Sequence, residues 1–332
     1  MAKAWLAAHA LGHTYVEMPW ALNPRGYRSE LGAPRTDWIS YTALARFSRP
    51  VRVSQQAYVE SGIVDYGEFI RDFVSDDGIA HQKSLIHDSG MAGGYAGIVG
   101  AREFLWKRLI ATEVGMGSVS RINLQRIRYQ KITVGVHIRA GDFDDQRPLP
   151  GTFNNRIPLD WYTDAVDFLS NTLGDDVHFF FVTEPDALTL VSDWRSRLGV
   201  LNSTICCGTA TEDLGVLAST DLLICSVSSF SLLAAFLGDS EYMWYADHLT
   251  VEDGSAFIWS DAHSVAFSKS RPRNDRYHLG IAGLRGLPFP GAREHRDDTL
   301  ARLRSNLAAR HAESNLIFYG AIDPAHLGER TV

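Results

Sequence analysis

Cysteine is scarce in this chain. The three present, Cys206, Cys207 and Cys225, are odd in number and two are adjacent, which fits no disulfide framework. They lack zinc-ligand spacing, and neither CxxC nor HExxH occurs, so no metal centre is expected. A reducing cytoplasm is the expected setting, and the Asn202-Ser203-Thr204 sequon then carries no glycan. No run approaches the roughly 20 apolar residues that cross a bilayer. The opening residues carry one lysine and a short alanine-rich run but no signal-peptide cleavage pattern, and they read as part of the fold. A basic excess is missing too. With 32 basic against 39 acidic residues the net charge is −7, which argues against nucleic acid as a partner. There is no internal repeat, heptad run, low-complexity tract or GxSxG motif. The glycine-rich segment from Gly90 to Gly97 has neither GxGxxG nor P-loop spacing, so it reads as a cleft loop and gives little support to a nicotinamide-dependent oxidoreductase. His87-Asp88 beside it has no partners at metal-ligand spacing.

What is present is a 332-residue chain, 45% hydrophobic and 21% charged, which can bury a full core and has room for two domains. The clearest organisation lies between residues 131 and 247. A β-rich run over 132–139 precedes a helix over 158–173, whose Tyr162, Val166, Leu169 and Leu173 form one apolar stripe, with Gly174 just past its end. The run VHFFFV at 177–182 is apolar enough to be buried on both faces, as parallel strands are. A helix over 187–198, a helix opened by a Thr209/Glu212 capping box and ending near Ser219, a strand over 222–225, a helix over 228–237 and a strand over 242–245 follow. Strands alternating with helices indicate βαβ units and a mostly parallel sheet, hence an α/β fold. Before residue 130 the pattern is less regular: a helix over 2–11 capped by Gly12, a strand over 14–17, a loop-rich insertion marked by Pro19, Pro24 and Pro34, a short strand over 85–87 and a long helix over 95–112. The Arg-rich tail closes with a helix over 299–310. The expected division is 1–130, 131–265 and a tail of 266–332.

Three constellations carry candidate chemistry. His137-Ile138-Arg139-Ala140-Gly141-Asp142 runs from a strand end into an acidic loop, Asp142 to Asp145. Ligands of parallel α/β sheets bind outside the carboxyl ends of the strands, where a guanidinium grips a diphosphate in bidentate fashion and glycine lets the backbone approach. The plain alternative is an Arg–Asp ion pair closing a strand, with His137 a satisfied core histidine. Ser228-Ser229-Phe230-Ser231 follows the next-but-one strand, where hydroxyls beside free helix N–H groups make an anion site, or simply cap the helix. Thr183-Glu184-Pro185-Asp186 offers a carboxylate at a strand end, to hold a base or sugar or to make a turn. Asp213 falls in the first turn of its helix, where the dipole alone favours it.

Taken in order, HxRxGD, the acidic turn and the segment Glu212-Asp213-Leu214, Leu217, Asp221, Ile224 and Ser228 to Ser231 resemble the alpha-1,2-fucosyltransferase family, within the superfamily of GDP-fucose-dependent fucosyltransferases. The similarity covers roughly residues 130–240 and includes the helix start Pro158-Leu159-Asp160-Trp161-Tyr162. It implies two facing Rossmann-like domains in a GT-B-like arrangement, with GDP-fucose on the C-terminal one and a glycan acceptor in the cleft. It implies metal-independent, inverting transfer of fucose to a sugar hydroxyl. By position, Arg139 would hold the diphosphate, His137, Gly141 and Asp142 would shape the pocket, Ser229 and Ser231 would meet phosphate or fucose, and Phe230 would pack beside them. Thr183, Glu184, Asp213 and Ser228 complete the expected donor-binding set. Asp142, Asp144 and Asp145 are the candidate general bases, and the residues do not choose between them. The chain departs from the family pattern at three places. Thr183-Glu184-Pro185 replaces a Ser-Asp-Asp turn, and Leu232, Leu233 and Ala234 stand where two tryptophans and a glycine are usual. The glycine-rich, asparagine-containing loop that precedes the family's first helix is not found before residues 2–11, so the N-terminal half is expected to lack its first strand and that loop. Another nucleotide sugar, or an inactive nucleotide- or sugar-binding homologue, are the alternatives these departures leave.

Overall fold

The computed structural model describes residues 1–16, 35–63, 65–76, 78–79, 83–87, 95–140, 156–226, 228–238, 240–245, 250–252, 255–257 and 285–289. Among these the chain separates into two compact units, divided between Leu105 and Trp106. Among the described residues no helix is long and apolar enough to cross a membrane.

The first unit begins with α1 (Ala2–Leu11), closed as expected by Gly12 in the left-handed conformation. Then come α2 (Arg35–Phe47), β1 (Val51–Val53), α3 (Gln55–Ser61), α4 (Tyr66–Asp76) and β2 (Leu85–His87). The Ser54 hydroxyl caps α3 by accepting from Ala57 N–H at 3.0 Å. β1 and β2 pair in parallel, Val53 opposite His87. Leu6, Ala7, Val53, Tyr58, Tyr66, Phe69 and Ile70 form the core of this unit. The strand expected over 14–17 is absent: residues 13–16 have no regular structure, and Glu17 lies outside the described residues. Tyr15 instead packs edge-on against Phe104, an example of β propensity yielding to side-chain packing. The long helix expected over 95–112 is broken into a 3₁₀ turn, Ala96–Ala101, and α5 (Arg102–Leu109). Gly97 and Gly100 weaken a helix there, and Ile98 leaves helical geometry at φ −122°. The expected loop insertion at 19–34, the Gly90–Gly94 segment and the helix over 299–310 lie outside the described residues.

The second unit holds α6 (Glu113–Arg128), β3 (Ile132–Ile138), α7 (Leu159–Leu173), β4 (Val177–Thr183), α8 (Leu188–Leu198), β5 (Ser203–Cys206), α9 (Ala210–Ser219), β6 (Leu222–Ile224), α10 (Ser229–Gly238) and β7 (Glu241–Tyr245). The short strands β8 (Thr250–Glu252) and β9 (Ser255–Phe257) follow in sequence, with Glu252–Phe257 clustering in the first unit, and β10 (Arg285–Phe289) returns to the main sheet of the second. Among the described residues the sheet has six strands in the order β10-β7-β6-β3-β4-β5, and every pairing is parallel. Counted from β3, that is the strand order of a Rossmann-like sheet. The α/β reading with a parallel sheet therefore holds. Pro158 stands at the N-cap of α7 rather than inside it, and Gly174 closes the helix with φ 64°. The Thr209/Glu212 capping box is present at α9.

Alternation along the strands sends side chains to two layers. Val134, Val136, Ile138, Phe179, Phe181, Leu222, Ile224 and Met243 meet Trp161, Tyr162, Val166 and Leu169 of α7 and Val191 and Trp194 of α8. The opposite face is covered by α9, which packs against α6, α10, β3 and β4. Gly135 permits this second layer: a Cβ there would stand 2.8 Å from both Leu223 Cδ2 and Thr220 Oγ1, closer than carbon atoms tolerate. At the amino-terminal end of the sheet a buried ion pair ties the layer together. Arg126 of α6 meets Asp221 Oδ1 at 2.9 Å, and Asp221 Oδ2 accepts from Thr133 N–H and its hydroxyl at 2.9 and 2.8 Å.

Candidate functional site

Strand order reverses at β3. The chain moves one way through β4 and β5, and the other way through β6, β7 and β10. The connections from β3 and β6 therefore leave toward opposite faces, into α7 and α10, and open a crevice at the carboxyl ends of these two neighbouring strands. The first and second sequence constellations, about 90 residues apart, meet at this crevice.

His137 is the anchor. It lies near the end of β3 with 5% of its surface exposed, and its side chain points to the α9/α10 layer. Its Nδ1 lies 2.6 Å from Ser231 Oγ and 2.9 Å from Ser226 Oγ, and the two hydroxyls are 3.1 Å apart. The Phe230 ring lies against the imidazole, with centroids 5.4 Å apart. From the other layer, the Tyr162 hydroxyl of α7 donates to the His137 carbonyl at 3.1 Å. Burial, with a smaller push from the Arg139 guanidinium, lowers the imidazole pKa to about 3. The ring is thus neutral at physiological pH. The Tyr162 phenol is pushed well above its ordinary value by burial, then by Cys225 and Glu184, with Arg156 pulling the other way.

Arg139, half-buried, is the first residue beyond the sheet, and Ala140 follows it. Glu184 is the corresponding first residue beyond β4, and its Oε1 accepts from the Ala140 N–H at 2.7 Å. Thr183, the last residue of β4, is 1% exposed, and its hydroxyl has no hydrogen-bond partner among the described residues. Ser228 caps α10: its Oγ accepts from Phe230 N–H at 3.2 Å. Ser231 is only 1% exposed and its hydroxyl faces His137, so its role is inside the protein. Ser229 is the first residue of α10. Asp213 lies in the first turn of α9, where its Oδ1 accepts from Gly208 N–H at 3.1 Å. The Cys207 thiol between these strand ends is pushed up by burial first, then by the Asp213 and Glu184 carboxylates. Gly141, Asp142, Asp144 and Asp145 lie outside the described residues. Among the described residues no three His, Cys, Asp or Glu side chains gather as metal ligands would.

The crevice thus brings together His137, Arg139, Thr183, Glu184, Phe230 and Ser231, with Ser228 opening α10 and Asp213 one strand further out. Sequence reasoning missed three participants. Ser226 was legible only as part of the run Cys225-Ser226-Val227-Ser228-Ser229. Tyr162 counted as an apolar stripe residue, although a buried phenol normally needs a hydrogen-bond partner. Arg156, which precedes α7 and whose charge reaches Tyr162, carried no motif signal. Compared with known proteins, the chain matches no family model and no curated protein.

Proposed function

We propose that the chain is a glycosyltransferase that moves fucose from GDP-fucose to a sugar hydroxyl of a glycan acceptor, with inversion and without a metal. The observation that carries this reading is the meeting of the His137–Arg139 strand end with the Ser226–Ser231 segment at the reversal point of a parallel sheet. That is where such sheets take nucleotides. In the reading, Arg139 and the N–H groups at the start of α10 receive the diphosphate, and Arg156 adds positive charge to the same edge. Charge on the departing diphosphate is then met by donors fixed before the reaction, which supplies the largest catalytic contribution. A carboxylate among Asp142, Asp144 and Asp145 would take the proton of the acceptor hydroxyl. The second unit would serve the donor and the first the acceptor.

Neutral His137 fits this scheme as a frame. It carries no positive charge to offer a phosphate, but it locks β3 to α10 and so fixes the distance between Arg139 and the helix start. The test is Arg139→Ala. GDP-fucose turnover should fall by about a hundredfold or more, the loss typical of one donor to a developing anion, while melting stays within a few degrees of wild type. Near-normal turnover would sink the proposal. Donor identity is tested separately by thermal shift with GDP, UDP and CMP. The commitment of Glu184 to Ala140 makes that comparison pointed, because the carboxylate at the β4 end is partly spent within the protein. A shift with UDP or CMP but none with GDP would transfer the reading to another nucleotide sugar.

A further inference from the structure

We infer that Glu184 is a positioning residue, whose carboxylate clamps the backbone at Ala140, just beyond β3, and thereby sets the direction in which Arg139 leaves the sheet; this rests on the donor-binding reading above. The β3–β4 ladder runs residue by residue from Ile132 opposite Val177 to Ile138 opposite Thr183, and it ends there. Arg139 is the next residue. Without further restraint its backbone would swing from one fixed neighbour, and its long side chain would amplify the swing. Instead the Ala140 N–H, which has left the ladder, donates to Glu184 Oε1 at 2.7 Å. A short N–H···O⁻ bond of this kind is roughly twice as strong as a neutral one. Arg139 is therefore held on both sides, by the sheet at Ile138 and by the carboxylate at Ala140.

The clamp is itself rigid. Glu184 precedes Pro185, which confines it to an extended backbone, and it adopts φ −78° and ψ 159°. Pro185 in turn opens a 3₁₀ turn that leads into α8. The stem of the carboxylate is thus set by β4 on one side and by a proline turn on the other. The acidic residue at this strand end acts through Arg139, and an acceptor oxygen, more than a negative charge, is what the position requires. That distinction makes it testable, because glutamine keeps the oxygen and loses the charge.

The experiment compares wild type, Glu184→Ala and Glu184→Gln by GDP titration calorimetry, GDP-fucose kinetics and exchange of the Ala140 amide followed by NMR. Losing a hydrogen bond to a charged group should weaken GDP binding by about tenfold or more in Glu184→Ala. The loss should appear in Kd and KM more than in kcat, and Glu184→Gln should return to within about threefold of wild type. The Ala140 amide should exchange about tenfold or more faster in the alanine variant and stay protected in the glutamine variant. Wild-type affinity in Glu184→Ala overturns the clamp. So does a glutamine variant as weak as the alanine one, which would assign the charge a direct role on the ligand. Should wild type bind no GDP at all, the donor reading fails, and the Ala140 amide alone then decides the clamp. Unchanged exchange in Glu184→Ala overturns it, and if that variant does not fold, loss of protection in Glu184→Gln does so.

Discussion

At the scale of single residues, His137 shows how burial chooses between two uses of a side chain. An imidazole at a strand end beside an arginine could hold a proton and a positive charge, but enclosure between two layers pushes its pKa down to about 3. His87 in the first unit, whose Nδ1 lies 2.8 Å from the Tyr66 hydroxyl, is lowered to about 4 by burial first and then by nearby positive charge. The sign of the linkage follows. Both groups bind a proton more readily in the unfolded chain, near pH 6.5, than in the fold. Their contribution is complete above that pH and is lost as pH falls toward 4 and then 3. Each adds a slope of up to about 1.4 kcal/mol per pH unit within its window. NMR of the His137 ring should show the neutral form down to pH 4, and unfolding free energy should decline steadily below pH 6.5. A His137 midpoint near 6.5 would show that the ring is open to water and that the crevice is built differently.

At the scale of elements, the long-range polar ties sit where elements cross. Asp221 was prominent in the sequence as part of the stretch leading to the serine cluster, yet it lies at the opposite end of the sheet from that cluster. It joins β3, β6 and α6 by holding Thr133 and Arg126, with side chains 0% and 1% exposed for the pair. Removing one member strands a buried charge, so Asp221→Ala should cost about 3–5 kcal/mol in chemical denaturation. A cost below about 1 kcal/mol, the level of surface pairs, would mean that the pair is hydrated. Three of the strands that were legible share one property. β3, β4 and β6 are apolar runs covered on both faces, and burial of that kind needs no knowledge of the partner. β5, with Ser203 and Thr204 on a half-buried strand, and α6, diluted by Gly115, Gly117 and two serines, were not legible because tertiary packing overrides weak local signal there. β10 was hidden for a related reason. Pro288 speaks against a central strand, but among the described residues β10 is the outermost strand and pairs on one side only, so half of its N–H groups are not needed for the ladder.

At the scale of the whole molecule, the candidate site was legible as two strand ends and illegible as a set of contacts. That HIR ends one buried strand and SSFS follows another could be seen in the residues. That His137 reaches Ser231, or that Glu184 reaches Ala140, depends on strand order and register, which no local pattern encodes. The same geometry says where a bound nucleotide should be felt. If GDP occupies the reversal point, its stabilisation should be concentrated in the strand ends and helix starts that line it. At a concentration of about 100 times Kd, binding to the folded state alone adds about 2.7 kcal/mol to stability. Hydrogen exchange with and without GDP should therefore slow at residues 138–140, at 183–184 and in the first turn of α10. The α6–β3 junction around Arg126, at the far end of the sheet, should change little by direct contact. Arg139→Ala should abolish the protection at all three segments together, because the guanidinium is the shared anchor of the diphosphate. Protection confined to the amino-terminal ends of β3 and β6 would place the nucleotide at the wrong edge and end the donor-site reading.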